Sequence, residues 1–216
     1  MGKVLGFLDF DRKDYAKEPI DVRLKHWNEF VQWLSDEELK HQGARCMDCG
    51  IPFCHWICPI SNIIPEFNDL VYRGCWHEAL EWLLKTNSFP EFTGRVCPAL
   101  CENSCVLGIT EKAVTIKNIE LTIIEHAYRE GWMEPQPPAF RTGKKVAVIG
   151  SGPSGFACAD ELNKAGHKVT VFEKNEFPGG ILSLGIPDFK LEPKYIERRL
   201  DIMRKEGIVF KPNVHV

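Results

Sequence analysis

The placement of the cysteines constrains this chain more than any other feature. Cys46, Cys49, Cys54 and Cys58 are spaced C-x2-C-x4-C-x3-C with Pro59 directly after, and Cys97, Cys101 and Cys105 follow as C-x3-C-x3-C with Pro98 after the first. Thiolates this close converge on one metal centre without closing long loops, and proline stiffens the turn beside it. The ferredoxin run C-x2-C-x2-C-x3-C-P is a relative of the first group, and there the fourth cysteine ligates the other cluster. The spacing therefore favours iron–sulfur clusters. The alternative is structural zinc, which four thiolates suit and for which C-x2-C is the usual half-site. Zinc sites normally present two separated pairs, however, and seven thiols leave two zincs one ligand short.

Seven thiols are also one short of two four-ligand clusters, which directs attention to Glu120. It lies within the apolar stripe Ile116, Ile119, Ile123 and Ala127 of a helix expected over 116–129. A carboxylate on a core face costs on the order of a few kcal/mol unless it is paired or bound to metal. The spacing by itself favours the plainer reading, that Glu120 flanks the stripe and reaches Lys117. Cys75 and Cys158 stand outside both groups and read as structural, Cys158 as a small packing residue. His41, His55 and His77 read as solvent-facing or hydrogen-bonded neighbours of the clusters.

Hydrophobic residues at 44% and charged residues at 26% describe a folded globular chain, and a net charge of -3 supports neither nucleic-acid binding nor a polybasic membrane role. The N-terminus lacks the apolar run of a secretory signal, no segment is long and apolar enough to span a bilayer, and Gly6 breaks the myristoylation pattern. The expected compartment is the cytoplasm, where nine cysteines are poor candidates for disulfides.

The chain reads as two domains, 1–140 and 141–216, divided by the stiff linker Glu134-Pro135-Gln136-Pro137-Pro138. Leu24, Trp27, Val31 and Leu34 recur at helical spacing and predict an amphipathic helix. Ser35-Asp36-Glu37-Glu38 fits a capping box for a helix ending near Gly43, Pro65 opens another through Leu70, and a further one is expected over Trp76–Lys85. Beyond the linker the pattern becomes strand, turn, helix, strand: Lys145–Ile149, Gly155–Lys164 and Lys168–Phe172.

The first of these strands runs into Gly150-Ser151-Gly152-Pro153-Ser154-Gly155, a G-x-G-x-x-G loop in strand–turn–helix context. Gly150 permits the tight turn, Gly152 lets the backbone approach a pyrophosphate, and Gly155 allows close helix–strand packing. The helix N-terminus then faces the phosphates with its positive end. Glu173, at the end of the second strand, is positioned for adenosine ribose hydroxyls and argues against a 2′-phosphate. Gly179-Gly180 suggests a second backbone approach, which favours FAD over NAD; the bland reading is a flexible loop.

The stretches GARCMDCGIPFCHWICPISNIIPEFNDLV, FPEFTGRVCPALCENSCVLGI, AVTIKNIE, KKVAVIGSGPSGFACADEL and PGGILSLGIPDFKL resemble the small subunit of NADPH-dependent glutamate synthase. More loosely they are similar to the N-terminal region of dihydropyrimidine dehydrogenase. The resemblance implies an α-helical ferredoxin-like domain binding two [4Fe–4S] clusters, followed by the start of an α/β doubly wound FAD-binding fold. It implies Cys46, Cys49, Cys54 and Cys105 on one cluster, and Cys58, Cys97, Cys101 and Glu120 on the other. FAD would contact Gly150, Ser151, Gly152, Pro153, Ser154, Gly155, Glu173, Lys174 and Gly180, and no catalytic residue is assigned. In the family, electrons pass from NADPH through FAD and the clusters to an FMN-containing large subunit, which makes glutamate from glutamine and 2-oxoglutarate. A soluble hetero-oligomer with that large subunit is implied. Other expectations are a related pyrimidine- or ferredoxin-reducing subunit, or a zinc-stabilised interaction domain. The family's small subunit is far longer and has a separate NADPH domain. Here Asn213–Val216 fall where a third strand is due and no NADPH site is evident, so a truncated form is expected.

Overall fold

A computed structural model describes residues 2–216, which divide into two compact units: residues 2–26 with 30–132, and residues 27–29 with 133–216. The first unit is helical. Its larger elements are α3 (Asp36–Ala44), α5 (Ile64–Arg73), α6 (Trp76–Leu84), α7 (Pro90–Val96) and α9 (Ile116–Arg129). Shorter pieces are α1 (Gly6–Asp9), β1 (Ala16–Lys17), α2 (Ile20–Arg23), β2 (Val31–Gln32), α4 (Phe53–Ile57), α8 (Leu100–Asn103) and a 3₁₀ turn, Val106–Ile109.

Local chemistry sets the ends of these helices. Ser35 and Glu38 form a reciprocal capping box on α3, the Ser35 N–H donating to the Glu38 carboxylate at 2.9 Å. Pro65 sits in the first turn of α5, where its missing N–H costs nothing, and Gly74 closes that helix in the left-handed region with φ 76°. α9 buries Ile116, Ile119, Ile123, Ile124 and Ala127 against the other long helices.

The stretch expected as a helix over residues 24–34 is not one. Leu24 is 79% and Trp27 71% exposed, and Val31–Gln32 pairs antiparallel with Ala16–Lys17 as β2 with β1. Helical spacing without a surface to bury against gains nothing, and the backbone instead pairs with a neighbouring segment, as when Glu18 N–H donates to Phe30 O.

The second unit is a three-stranded parallel sheet, ordered β3 (Lys145–Ile149), β4 (Lys168–Phe172), β5 (Val209–Lys211). α10 (Pro153–Lys164) links β3 to β4, while α11 (Ile181–Leu184) and α12 (Pro193–Lys205) precede β5. Register runs from Lys145 opposite Lys168 to Ile149 opposite Phe172. The third strand thus ends before Asn213–Val216, the segment in which the sequence reading expected it. α12, which periodicity did not flag, buries Tyr195, Ile196, Leu200 and Met203. Among the described residues no helix is long and apolar enough to cross a membrane.

Gly94 marks a close helix contact of the first unit: a Cβ there would lie 2.7 Å from Leu121 Cβ. Alanine gains ~1 kcal/mol of helix propensity over glycine, but overpacking costs ~1–3 kcal/mol, so the clash wins. Gly94→Ala is expected to lower the urea midpoint with m unchanged. A midpoint equal to or above wild type would mean that α7 and α9 separate freely.

Candidate functional site

Cys46 follows α3, Cys49 lies in the loop beyond it, Cys54 is on α4, and Cys105 precedes the 3₁₀ turn. All four line one cavity, together with Ile64, Asn68, Leu107 and Ile116. The walls are mainly apolar, and that controls the thiols. Burial, with the neighbouring thiols, pushes Cys46 up to about 11 and Cys54 to about 12; burial also raises Cys49, with Cys105 and Asp48 adding to it. The backbone N–H groups of Asp48 and His55 work in the opposite direction, favouring the thiolates of Cys46 and Cys54.

The remaining thiols form a second group. Cys58 caps the end of α4, Cys97 caps the end of α7, and Cys101 is on α8. Cys101 is buried, and its thiol is raised first by that burial and then by Glu120, Glu102, Cys97 and Cys58, all within electrostatic reach. Glu120, on α9, is 7% exposed. Its Oε1 accepts from Asn62 Nδ2 at 2.9 Å, and Asn62 Oδ1 in turn accepts from Thr86 Oγ1 at 2.7 Å. Lys117, the partner that spacing favoured for Glu120, sends its ammonium to Cys97 O at 2.7 Å and acts on Glu120 through its charge. Burial raises the Glu120 carboxyl to about 7 against the opposing Asn62 bond. Cys97 Sγ accepts from Ala99 N–H at 3.4 Å.

Cys75 occupies the cap position at the start of α6. Cys158 is exposed, not a packing residue: Phe156 and Ala159 hold the buried face of α10 and leave Cys158 outside it. His41 stacks on Phe10 at 4.0 Å, and His77 meets the edge of Trp132. Among the described residues, no three Cys, His, Asp or Glu side chains are arranged to hold a single metal ion.

In the second unit, Gly150, Ser151, Gly152, Glu173, Lys174 and Gly180 line an open cavity of about 260 Å³ at the ends of β3 and β4. Pro153 and Ser154 are exposed in the first turn of α10. Close approach to other backbone makes glycine obligatory at two positions. A Cβ at Gly155 would lie 2.0 Å from Gly150 O, and one at Gly180, whose φ is +56°, would lie 2.8 Å from Gly152 Cα. Gly152 itself faces open space.

Comparison with known proteins finds a relative for each unit. Residues 23–132, just over half the chain, match the family described as dihydropyrimidine dehydrogenase domain II, 4Fe-4S cluster. The chain belongs to that iron–sulfur family. Residues 148–189 of this member match an NAD(P)-binding Rossmann-like domain. The chain is 55% identical to the glutamate synthase [NADPH] small chain of Bacillus subtilis, over 100% of its own length and 46% of the relative's. It is 54% identical to the small chain of Mycobacterium tuberculosis, covering 98% and 43%, and 52% identical to the glutamate synthase [NADH] of Schizosaccharomyces pombe, covering 100% and 10%. The chain thus spans under half the length of these bacterial relatives.

Two features of this iron–sulfur family member were invisible to sequence reasoning. Asn68, on α5, is 0% exposed with neither Nδ2 nor Oδ1 hydrogen-bonded, and it lines the cavity of the first thiol group. Its only sequence signal is a polar residue among Ile64, Phe67 and Val71. The second feature is the pairing of Glu173. Its Oε2 accepts from Ser151 N and Oγ at 3.0 and 2.6 Å, and its Oε1 from Asn175 N and Nδ2 at 2.9 and 2.8 Å. Ser151 Oγ also accepts from Gly179 N–H at 3.1 Å, so one carboxylate ties both glycine loops together.

Burial alone would raise the Glu173 carboxyl, but these four donors pull it down to about 2. A depressed acid stabilises the fold above its unfolded value and loses that contribution as pH falls through its folded value. Stability supplied by Glu173 is therefore expected to drain between pH about 4.5 and about 2. Glu173→Gln should flatten the acid limb of the unfolding midpoint in that window. An unchanged limb would show that the four bonds do not hold the charge.

Proposed function

We propose that this chain is the iron–sulfur and flavin-binding part of a glutamate synthase small subunit. Residues 1–140 form the α-helical ferredoxin-like domain, and residues 141–216 the first part of a doubly wound FAD-binding fold. Cys46, Cys49, Cys54 and Cys105 hold one [4Fe–4S] cluster; Cys58, Cys97, Cys101 and Glu120 hold the other. The observation that carries this reading is the sorting of the side chains. Four thiols from two distant sequence motifs line one cavity, while the other three share their surroundings with a buried carboxylate.

When bound, the clusters carry electrons singly and the flavin exchanges them in pairs, which is chemistry the protein itself lacks. What the chain contributes is binding and tuning. The apolar walls around Cys46 and Cys54 keep water from the first site, and the N–H groups of Asp48, His55 and Ala99 point at thiol sulfur. Asn62 holds Oε1 of the buried Glu120 carboxyl. The cradle of Gly150, Gly152 and Gly180 beside the N-terminus of α10 suits the pyrophosphate of FAD. No residue of this chain is assigned to NADPH.

The electron acceptor on this reading is the FMN-containing large subunit, in a cytoplasmic hetero-oligomer that makes glutamate. A pyrimidine-reducing partner is the second reading, favoured by the description of the matching family. Co-purification with a glutaminase-type large subunit separates the two.

Iron, acid-labile sulfide, zinc and flavin content of anaerobically purified protein tests the cofactors. About eight irons and eight sulfides per chain, with FAD, are expected; zinc without sulfide would make this an interaction domain. Cys54→Ser should lose about half of the iron, and unchanged iron would sink the ligand assignment.

A further inference from the structure

We propose that Asn68 donates a hydrogen bond to sulfur of the cluster held by Cys46, Cys49, Cys54 and Cys105, and so raises the reduction potential of that cluster relative to the other. This rests on the four-thiol cavity being a cluster site. The amide of Asn68 is wholly buried and has no hydrogen-bond partner among the described residues. Buried polar groups are almost always satisfied, so an orphan of this kind points to a missing partner. The cavity supplies the direction, because Asn68 lines it together with all four thiols.

The backbone fixes this arrangement. Ile64, Phe67 and Val71 are fully buried along the same helix, and a Cβ at Gly43 would lie 2.6 Å from Asn68 O. α3 and α5 are thus in close contact here, and α5 cannot roll to carry the amide to solvent. Of the amide's two ends, only the NH₂ can serve an anionic sulfur, since thiolate and sulfide are acceptors. A donor on sulfur stabilises the reduced cluster, which carries one more negative charge, and hydrogen bonds to the sulfurs are a recognised lever on potential. Beside the other group, the side chain of Asn62 is committed to Glu120 and Thr86.

The test is a redox titration of the full chain, followed by electron paramagnetic resonance after anaerobic cluster reconstitution. Asn68→Leu keeps the volume and removes the donor. The potential of one cluster should fall by a tenfold change in its one-electron equilibrium, about 59 mV, while the other stays put and reports an intact fold. The affected signal is the one that Cys54→Ser abolishes. Pulsed resonance on wild-type protein, carrying asparagine isotope-labelled at the side-chain nitrogen, should show amide coupling to that same signal. The labelling result decides the matter if Asn68→Leu fails to assemble. Two assembled clusters with unmoved potentials, or no nitrogen coupling in wild type, would overturn the role of Asn68. Failure of the cluster reading looks different: Cys54→Ser would then retain all of its iron.

Discussion

The first unit depends on a buried cation. Arg45 is 2% exposed, immediately precedes Cys46, and donates to Phe10 O, Lys112 O and Ala113 O at 3.0, 2.6 and 3.0 Å. Short helices such as α4 and α8 cannot hold themselves together, because nucleation costs more than one turn returns. The loops that carry cysteines therefore need fixed anchors. Arg45 supplies one by joining the N-terminal segment and the 112–113 segment to the end of α3. Arg12 supplies another, pairing with Glu102 at 2.6 Å, while the same carboxylate accepts from Lys117 N–H at the start of α9. These partly buried pairs bring α8, and Cys101 with it, up against Glu120.

Burial has opposite consequences for the two kinds of acid in this scaffold. Around the first group it drives the Cys46, Cys49 and Cys54 thiols upward and disfavours the charge that a metal centre needs. Short-range N–H donors and metal binding must then offset that cost, as is usual where ligands deprotonate on binding. For Glu173 the balance is reversed: four donors outweigh burial, and the carboxylate is held charged with every acceptor site in use. Charge is disfavoured where a cofactor would supply the compensation and favoured where the protein supplies it.

In the second unit the same carboxylate organises the dinucleotide cradle. The Ser151–Glu173 pair and the Gly179–Ser151 bonds link the loop after β3 to the loop after β4, and Gly180 can then approach Gly152 as closely as its missing Cβ allows. Glycine at 150, 152 and 180 leaves backbone exposed in the lining of that cavity.

Much of this was written in local sequence. The capping box of α3, the span of α9, the strand–loop–helix of β3 and α10, and the two cysteine motifs each depend on residues close together in the chain. Periodicity failed where burial was absent, as at Leu24 and Trp27, and it overlooked α12. Spacing alone could not sort the thiols, although the family resemblance implied a crossed arrangement. The reason lies in α4. Cys54 and Cys58 are four apart and would share a face of a continuing helix, but the helix ends at Ile57 and Cys58 takes an extended backbone, φ -69° and ψ 120°. Lys117 was the nearest charge to Glu120 in sequence, yet the fold gave that carboxylate Asn62, from a loop 58 positions away. The sequence by itself determined which atoms could bind metal and phosphate, since that is a matter of residue type and short spacing. Which thiols line one cavity was decided only by the tertiary structure, because convergence depends on helix ends and buried anchors distant along the chain.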